Sequence, residues 1–397
     1  MQKKILDKLH FEVKIEEVTH PKGRVVICHI PSRPPGQPFH HDGRYLMRSG
    51  EELRAMSPDR LREIFEEGKP DWLMQTAQTG CSASDVISLL DTQTYFQRLG
   101  QPYPATPRRI LERLIGDKLV VEDSVDYSIT NLGAVLFAYR LRSFEGLTRK
   151  APRVIVYEGT DKLKDTGADF PGTKGYVAGF ERLIDFINSH IPSNEIIGRA
   201  FRTEVKMFPE EAIRELVANA LIHQDFNERG TSVTIEIYSD RIEVSNPGTP
   251  IIPPDRFADE VQSRNETLAG LVRRLGMCEE QGLGIDRVIN STEVYQLPAP
   301  DFRLGERHFT VVLFAHKTFQ DMDRKERMSA CFWHCVLRYV TNQKMNNKSL
   351  RERFDLPESK LEIVSGVIDD AKHENKIKPT DPSNTSRRYA YYIPYWA

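Results

Sequence analysis

The feature that most constrains the fold of this chain is an alternation of strand and helix patterns between residues 152 and 315. Consecutive β-branched and aromatic residues at 153–157 predict a strand, and apolar residues spaced by three and four within 176–191 predict a helix. The same criteria predict these further elements: a helix from Phe208 to Phe226, strands at 232–238 and 241–244, a helix near 284–294 and a strand at 309–315. We therefore expect a mixed α/β unit here.

Segments of a different pattern flank this unit. Two alternating strand patterns around a Pro-Lys-Gly turn open the chain and predict a hairpin at 11–30. Helices followed by a short hairpin occur at 82–130 and again after residue 322, an order typical of winged helices. Because 397 residues exceed what one core supports, we expect an α+β multidomain protein with these domains: 1–68, 69–148, 149–318 and 319–397.

Composition and charge exclude several classes of protein. The chain has 55 Lys and Arg against 57 Asp and Glu, a net charge of −2, so any surface that attracts nucleic acid must be local. Five cysteines and an N-terminus without an apolar signal core indicate a reducing compartment. No apolar run approaches the length of a spanning helix. We expect a cytoplasmic protein with no membrane partner.

The most informative segment for chemistry is the predicted helix at 209–226. Glu215, Asn219 and His223 are spaced by four and would share one polar stripe, while apolar residues occupy the opposite face. A Glu can orient or deprotonate water beside a bound nucleotide, and an Asn one turn away can offer its carbonyl oxygen to Mg²⁺. The alternative is an ordinary polar stripe on a solvated helix.

Two glycine-marked loops follow at distances that favour a nucleotide site. Asn246 and Gly248 come directly after a strand, where Gly permits close approach to a planar base and Asn can hydrogen-bond its edge. Gly282 and Gly284 open a helix whose N–H groups can receive phosphate. The polar residues 255–280 between the loops are numerous enough to form a lid.

This order of motifs resembles the ATP-binding fold shared by gyrases, chaperones and histidine kinases. Residues 219–226 and 242–248 are more closely similar to the divergent form of that domain in prokaryotic transcriptional regulators that carry a Schlafen AlbA-type domain and are often labelled RecG-like ATP-dependent DNA helicases. Residues 43–50 and 56–58 resemble the closing portion of the AlbA-type domain. The resemblance implies a partial AlbA-type domain at 1–68, an α/β sandwich at 149–318, and ATP with Mg²⁺ as ligands.

The chain departs from these relatives in ways that bear on activity. Asn246 stands where the wider fold usually has Asp, and the second glycine loop is short, so nucleotide binding is expected more firmly than hydrolysis. The acidic and basic motif residues of the AlbA-type domain are absent, which weakens the argument for a Schlafen-like nuclease function. The segment 167–174 has Thr and Lys in the wrong order for a phosphate-binding loop and is interpreted as a turn. A helicase motor is therefore not expected.

The last 76 residues are mildly basic, with 14 Lys and Arg against 10 Asp and Glu. A helix, a tight turn and a second helix are predicted around Pro357, followed by a wing. The residues predicted to contact DNA are Lys360, Lys376, Lys378, Arg387 and Arg388. A winged helix can instead serve packing or dimerisation.

Three functions follow from these features. The first is a transcriptional regulator in which nucleotide occupancy modulates DNA contacts. The second is a weak Mg²⁺-dependent ATPase acting in a nucleic-acid or phage-defence process, with Glu215 as base. The third is the Schlafen-like nuclease. DNA and a nucleotide are the expected partners, and the sequence leaves the oligomeric state open, a homo-oligomer included.

Overall fold

A computed structural model describes residues 13–20, 23–30, 32–41, 43–50, 52–68, 71–163, 166–197, 202–278, 284–382 and 390–397. Three of the predicted site residues, Gly282, Arg387 and Arg388, lie outside the described residues. Contacts divide the chain into a first unit that ends at Asp71 and a second unit, Trp72–Ala397. The finer division of the second unit at residues 148 and 318 stays a prediction.

The described part of the chain contains both strands and helices. The strands are β1 (Lys14–His20), β2 (Gly23–His29), β3 (His40–His41), β4 (Arg44–Ser49), β5 (Glu52–Ala55), β6 (Thr76–Cys81), β7 (Val120–Glu122), β8 (Tyr127–Thr130), β9 (Arg153–Tyr157), β10 (Thr166–Pro171), β11 (Ser193–Ile197), β12 (Arg202–Lys206), β13 (Thr234–Ile237), β14 (Arg241–Pro247), β15 (Asp301–Leu304), β16 (His308–Phe314), β17 (Ile377–Pro379) and β18 (Tyr392–Pro394). The α-helices are α1 (Pro58–Glu67), α2 (Ala83–Leu89), α3 (Thr92–Arg98), α4 (Pro107–Gly116), α5 (Asn131–Phe137), α6 (Tyr176–His190), α7 (Glu210–His223), α8 (Glu266–Arg274), α9 (Gly284–Val294), α10 (Arg324–Val340), α11 (Asn347–Arg353) and α12 (Leu361–His373). Within the described part of the chain, no helix has the length and apolarity needed to cross a bilayer.

The first unit consists of small antiparallel sheets and one helix. Strands β1 and β2 form the predicted hairpin, and β3, β4 and β5 form a second sheet. Helix α1 begins at Pro58, since Pro fits the first helical position, and it buries Ile64. The assignment of this unit to an AlbA-type domain stays a prediction.

The second unit opens with three helices and a three-stranded sheet of order β6-β8-β7. Helix α2 starts at a capping box, in which the Ser82 hydroxyl accepts from the Asp85 N–H (3.2 Å) and the Asp85 carboxylate accepts from the Ser82 N–H (2.9 Å). The hairpin β7–β8 was expected from the sequence. Strand β6 was not, because the segment Thr76–Cys81 lacks apolar alternation.

A six-stranded mixed sheet of order β10-β9-β13-β14-β16-β15 forms the centre of the second unit. Only the pair β9–β13 is parallel, and the other neighbours are antiparallel. Helix α7 packs on β14 and contacts both α6 and α9. This arrangement confirms a mixed α/β fold with several domains. The interpretation of 167–174 as a turn is wrong in its first half, since β10 pairs there with β9.

The C-terminal part contains α10, α11, α12 and the hairpin β17–β18, around a second apolar core. Met345, just before α11, also forms a bridge with Tyr392 in β18. Cys331 and Cys335 on α10 are buried and pack within this core. Because α10 packs on α9, this part of the chain adjoins the central sheet domain.

Candidate functional site

A cavity of about 190 Å³ lies beside helix α7 and the sheet. Five of the predicted residues line it: Glu215, Asn219, His223, Asn246 and Gly284. The remaining walls come from α8, α9, β16 and the segment 250–264. The structure thus brings together residues that are up to 69 positions apart in the sequence.

Helix α7 turns its polar stripe to the cavity and packs its apolar residues into the core. Leu216, Val217 and Leu221 are buried, whereas Glu215, Asn219 and His223 are partly exposed. The helix is shorter than predicted and ends at His223. The backbone becomes extended at Gln224, and the Asn265 amide donates to the carbonyls of Ile222 (2.7 Å) and Gln224 (2.9 Å).

The sheet supplies a largely apolar wall. Val244 on β14 is paired with Val311 on β16, and Asn246 is paired with Phe309; all four line the cavity. Asn246 is only 8% exposed and donates Nδ2 to the carbonyl of Pro247 (3.3 Å), which leaves its Oδ1 as an acceptor. An apolar surface with one oriented amide suits a planar base with an exocyclic amino group.

The structure gives a reason for glycine at position 248 that differs from the predicted approach to a planar base. Gly248 is absent from the lining of the cavity. Its φ of +88° favours glycine, and a Cβ there would lie 2.6 Å from the Cβ of Asp225. Asp225 in turn pairs with Arg264 (3.3 Å), so Gly248 supports the cavity indirectly.

Gly284, the first residue of α9, lies against Glu215. A Cβ at this position would come within 2.6 Å of the Glu215 carboxyl carbon, so only glycine permits this approach. The carboxylate therefore lies at the N-terminal end of a helix, where the helix dipole stabilises negative charge.

The region predicted as a polar lid contains a helix that the sequence reasoning missed. Helix α8 buries Leu268, Leu271 and Val272, whose helical spacing was the signal that could have revealed it. Arg264 and Arg273 from this region line the cavity and were also missed. They place positive charge beside the polar stripe of α7.

Burial changes the acid–base behaviour of His223, which lines the cavity, and of Asp286, which does not. The pKa of His223 is lowered to about 4, first by burial and then by Arg264 and Arg273, so its imidazole is neutral at pH 7. The pKa of Asp286 on α9 is raised to about 6 by burial and by the charge of Asp259.

The oxygen-bearing side chains of the cavity decide whether Mg²⁺ can bind there. Among the described residues, no three His, Cys, Asp or Glu side chains cluster as a metal site. Nucleotide-bound Mg²⁺ needs only one or two oxygen-bearing side chains, since phosphate oxygens and water complete its shell. Glu215 and Asn219, one turn apart in the cavity, meet that requirement.

The residues predicted to contact DNA lie elsewhere, on the C-terminal part. Lys360 is exposed just before α12, and Lys378 is exposed on β17. The Lys376 ammonium instead lies 5.6 Å from the ring centroid of Phe332. Two acidic residues on α12 are paired with basic ones: Asp369 with Lys372 (3.2 Å) and Asp370 with Arg324 (2.8 Å).

Comparison with known proteins supports an ATPase-like domain. A solved structure with a similar fold is the DIP2311 protein from Corynebacterium diphtheriae, a structural genomics target; it is 16% identical, with a TM-score of 0.50, and the match covers 93% of this chain and 74% of that one. No curated protein matches the sequence. Residues 230–313, from β13 through most of β16, match the family described as "Putative ATP-dependent DNA helicase recG C-terminal", so the chain contains an ATPase-like domain of this type.

Proposed function

We propose that this protein is an ATP-binding, DNA-binding transcriptional regulator in which nucleotide occupancy modulates the contacts of a C-terminal winged helix with DNA. One observation carries the nucleotide part: the polar stripe of α7 and Asn246 face a single, largely apolar cavity at the edge of the ATPase-like domain. The base would pack on the wall formed by Val244, Phe309 and Val311, with Asn246 Oδ1 accepting from its amino group.

Asn219 would hold Mg²⁺ together with the phosphates, and the bound ion would neutralise phosphate charge. Glu215 would orient water near the ion or hold α9 in place. Its position against Gly284 favours the second role, since the carboxylate is already stabilised at the N-terminus of α9. This arrangement supports binding rather than efficient hydrolysis.

The order of elements supports two winged helices. In the first, β6 precedes helices α2, α3 and α4, and β8 lies between β6 and β7 in the sheet. In the second, Met345 bridges to Tyr392, between α10 and α11, and the hairpin β17–β18 follows α12. Helix α12 with Lys360 and Lys378 would face DNA.

Contacts between the tail and the cavity wall support the regulatory part. The Tyr395 hydroxyl donates to the Asp255 carboxylate, and the Arg256 guanidinium lies 4.5 Å from the ring centroid of Trp396. Arg256 also pairs with Glu260 (2.9 Å), which lines the cavity. A nucleotide that moves this segment would therefore pull on the C-terminal part.

Helix α9 provides a second connection. It begins at the cavity with Gly284, and near its other end Glu293 accepts from His334 Nδ1 (3.0 Å) and pairs with Arg353 (3.5 Å). His334 and Arg353 are buried and belong to α10 and α11. Breaking such a buried ion pair costs about 3 kcal/mol or more, so α9 and the C-terminal part should move together.

Calorimetric titration with ATP and ADP, with and without Mg²⁺, tests nucleotide binding. Asn219→Ala should weaken Mg²⁺-dependent affinity about tenfold, the effect of losing one charge-assisted contact. The control is Asn290→Ala, because Asn290 is exposed on α9 and does not line the cavity. Unchanged affinity in Asn219→Ala would contradict the assignment. ATP turnover that Glu215→Gln abolishes would favour the ATPase alternative.

Duplex binding tests the DNA part. Removal of the C-terminal part would uncover the apolar contact between α9 and α10, so substitutions in the full chain are preferable. Lys360→Glu combined with Lys378→Glu should weaken binding and lower the slope of log K against log salt by about one to two, because each lost phosphate contact removes about one. The control is Arg149→Glu, at an exposed position outside the C-terminal part. An unaltered slope would reject this surface.

A further inference from the structure

The charged side chains that line the cavity differ in whether they have partners. Glu260 pairs with Arg256 (2.9 Å). Arg264 pairs with Asp225 and donates to the carbonyl of Thr249 (2.6 Å). Arg273 donates its Nε to the carbonyl of Ala269 (3.2 Å), one turn earlier on α8, and its two terminal nitrogens have no partner among the residues that the structure describes.

The helix N-terminus that the sequence predicts as a phosphate site already has an anion beside it. The Glu215 carboxylate lies against Gly284 at the start of α9. A phosphate group placed there would have to share the start of α9 with this carboxylate.

The opposite situation holds around Arg273. His223 and Arg264 line the same cavity, and the pKa of the imidazole is lowered first by burial and then by the positive charges of both arginines. Because Arg264 is paired with Asp225, Arg273 is the guanidinium here whose terminal nitrogens have no partner among the described residues, and the neutral imidazole beside it can donate one N–H. A guanidinium with free terminal nitrogens matches two phosphate oxygens at once.

We infer that Arg273, flanked by His223 and Arg264, forms the subsite that binds the phosphate groups of the nucleotide. The inference rests on the proposed function for the identity of the ligand, and it assigns phosphate recognition to α8 instead of α9. The base then lies on the wall of Val244 and Val311, and the phosphates extend toward the helices.

The test compares Arg273→Gln with Arg274→Gln. Arg274 is the next residue on α8, but it pairs with Asp117 and does not line the cavity. Calorimetry would measure the affinities of adenosine, ATP and pyrophosphate for the full chain, and circular dichroism would confirm folding. Arg273→Gln should leave adenosine binding unchanged and weaken both ATP and pyrophosphate at least about tenfold. Arg273→Lys should recover part of the loss, and Arg274→Gln should bind all three like the wild type.

The outcomes separate this inference from the proposed function. If the wild type binds ATP tightly and Arg273→Gln keeps the full preference for ATP over adenosine, the subsite is overturned and nucleotide binding remains. Equal losses in Arg273→Gln and Arg274→Gln would also overturn it. Pyrophosphate binding that depends on Arg273, without any binding of ATP, would support the anion subsite and reject the nucleotide. A wild type that binds none of the three would overturn both.

Discussion

Burial shifts the proton affinities of His223 and Asp286 in opposite directions. His223 loses affinity for its proton, with a pKa of about 4, and Asp286 gains affinity, with a pKa of about 6. The Asp286 Oδ1 atom is also buried with no hydrogen-bond partner among the described residues. Both groups are therefore more stable when neutral, as expected for titratable side chains that are largely buried.

The two shifts predict opposite contributions to stability against pH. Between pH 6.5 and 4, unfolded His223 binds a proton that the folded protein does not, so acidification lowers stability by about 3 kcal/mol at most. Between pH 6 and 3.8, folded Asp286 binds a proton that the unfolded chain does not, so acidification raises stability.

Urea denaturation at several pH values would separate these contributions. His223→Gln should lose less stability than the wild type between pH 6.5 and 4. Asp286→Asn should be more stable than the wild type at pH 7, and this advantage should shrink toward pH 4. Parallel curves for wild type and both variants would show that neither group has a shifted pKa.

At the scale of elements, the sequence predicted those parts whose pattern is local. Helix α7 and strand β14 follow from strong periodicity, and α9 follows from the glycine before it. Strand β6 has too few apolar residues to show alternation and forms because β8 offers it a partner. Helix α8 was hidden because Arg273 and its polar neighbours gave the region 255–280 the composition of a loop.

In the candidate site too, the sequence predicted the residues that one helix brings together and missed those that tertiary structure brings there. The spacing of Glu215, Asn219 and His223 places them on one face before any tertiary contact is known. Arg264 and Arg273 reach the cavity only through the path of the segment between β14 and α9. Gly248 was predicted to approach a ligand and instead approaches Asp225, a distinction that depends on tertiary packing.

Two helical glycines give a matched test of α8 and α9. A Cβ at Gly270 on α8 would meet no atom within 4 Å, so Gly270→Ala should stabilise the protein by about 0.5 to 1 kcal/mol through the unfolded state. At Gly284 the same change should destabilise, because the Cβ would displace Glu215. Chemical denaturation of the two variants measures both effects. A stabilising Gly284→Ala would show that Glu215 does not lie against α9.

At the scale of the whole molecule, the second unit connects its parts through charged and aromatic contacts. Glu181 on α6 pairs with Arg98 on α3 (2.7 Å) and with Arg214 on α7 (2.8 Å), and these pairs lower the pKa of its carboxyl to about 2. Trp72 stacks on Phe226 with ring centroids 4.9 Å apart. Such contacts join residues far apart in sequence, so no local pattern predicts them.

The last prediction concerns the contact between Trp396 and Arg256. If nucleotide changes DNA affinity by some factor, DNA must change nucleotide affinity by the same factor, and typical factors are about 5 to 150. Trp396→Ala removes the ring that faces Arg256 and Tyr339 without touching the cavity or the exposed lysines. Trp396→Ala should therefore bring this coupling factor close to one. The affinity for nucleotide without DNA and the affinity for DNA without nucleotide should both stay near their wild-type values.

The measurement is a pair of titrations, nucleotide with and without duplex and duplex with and without nucleotide. Tyr391→Ala is the matched control, because Tyr391 is 45% exposed near the same terminus and, among the described residues, does not contact Asp255 or Arg256. If Trp396→Ala keeps the full factor, communication runs through another route, of which α9 with Glu293 is the structural candidate. If the wild type shows no factor in either direction, nucleotide does not regulate DNA binding, because thermodynamic linkage requires both titrations to agree.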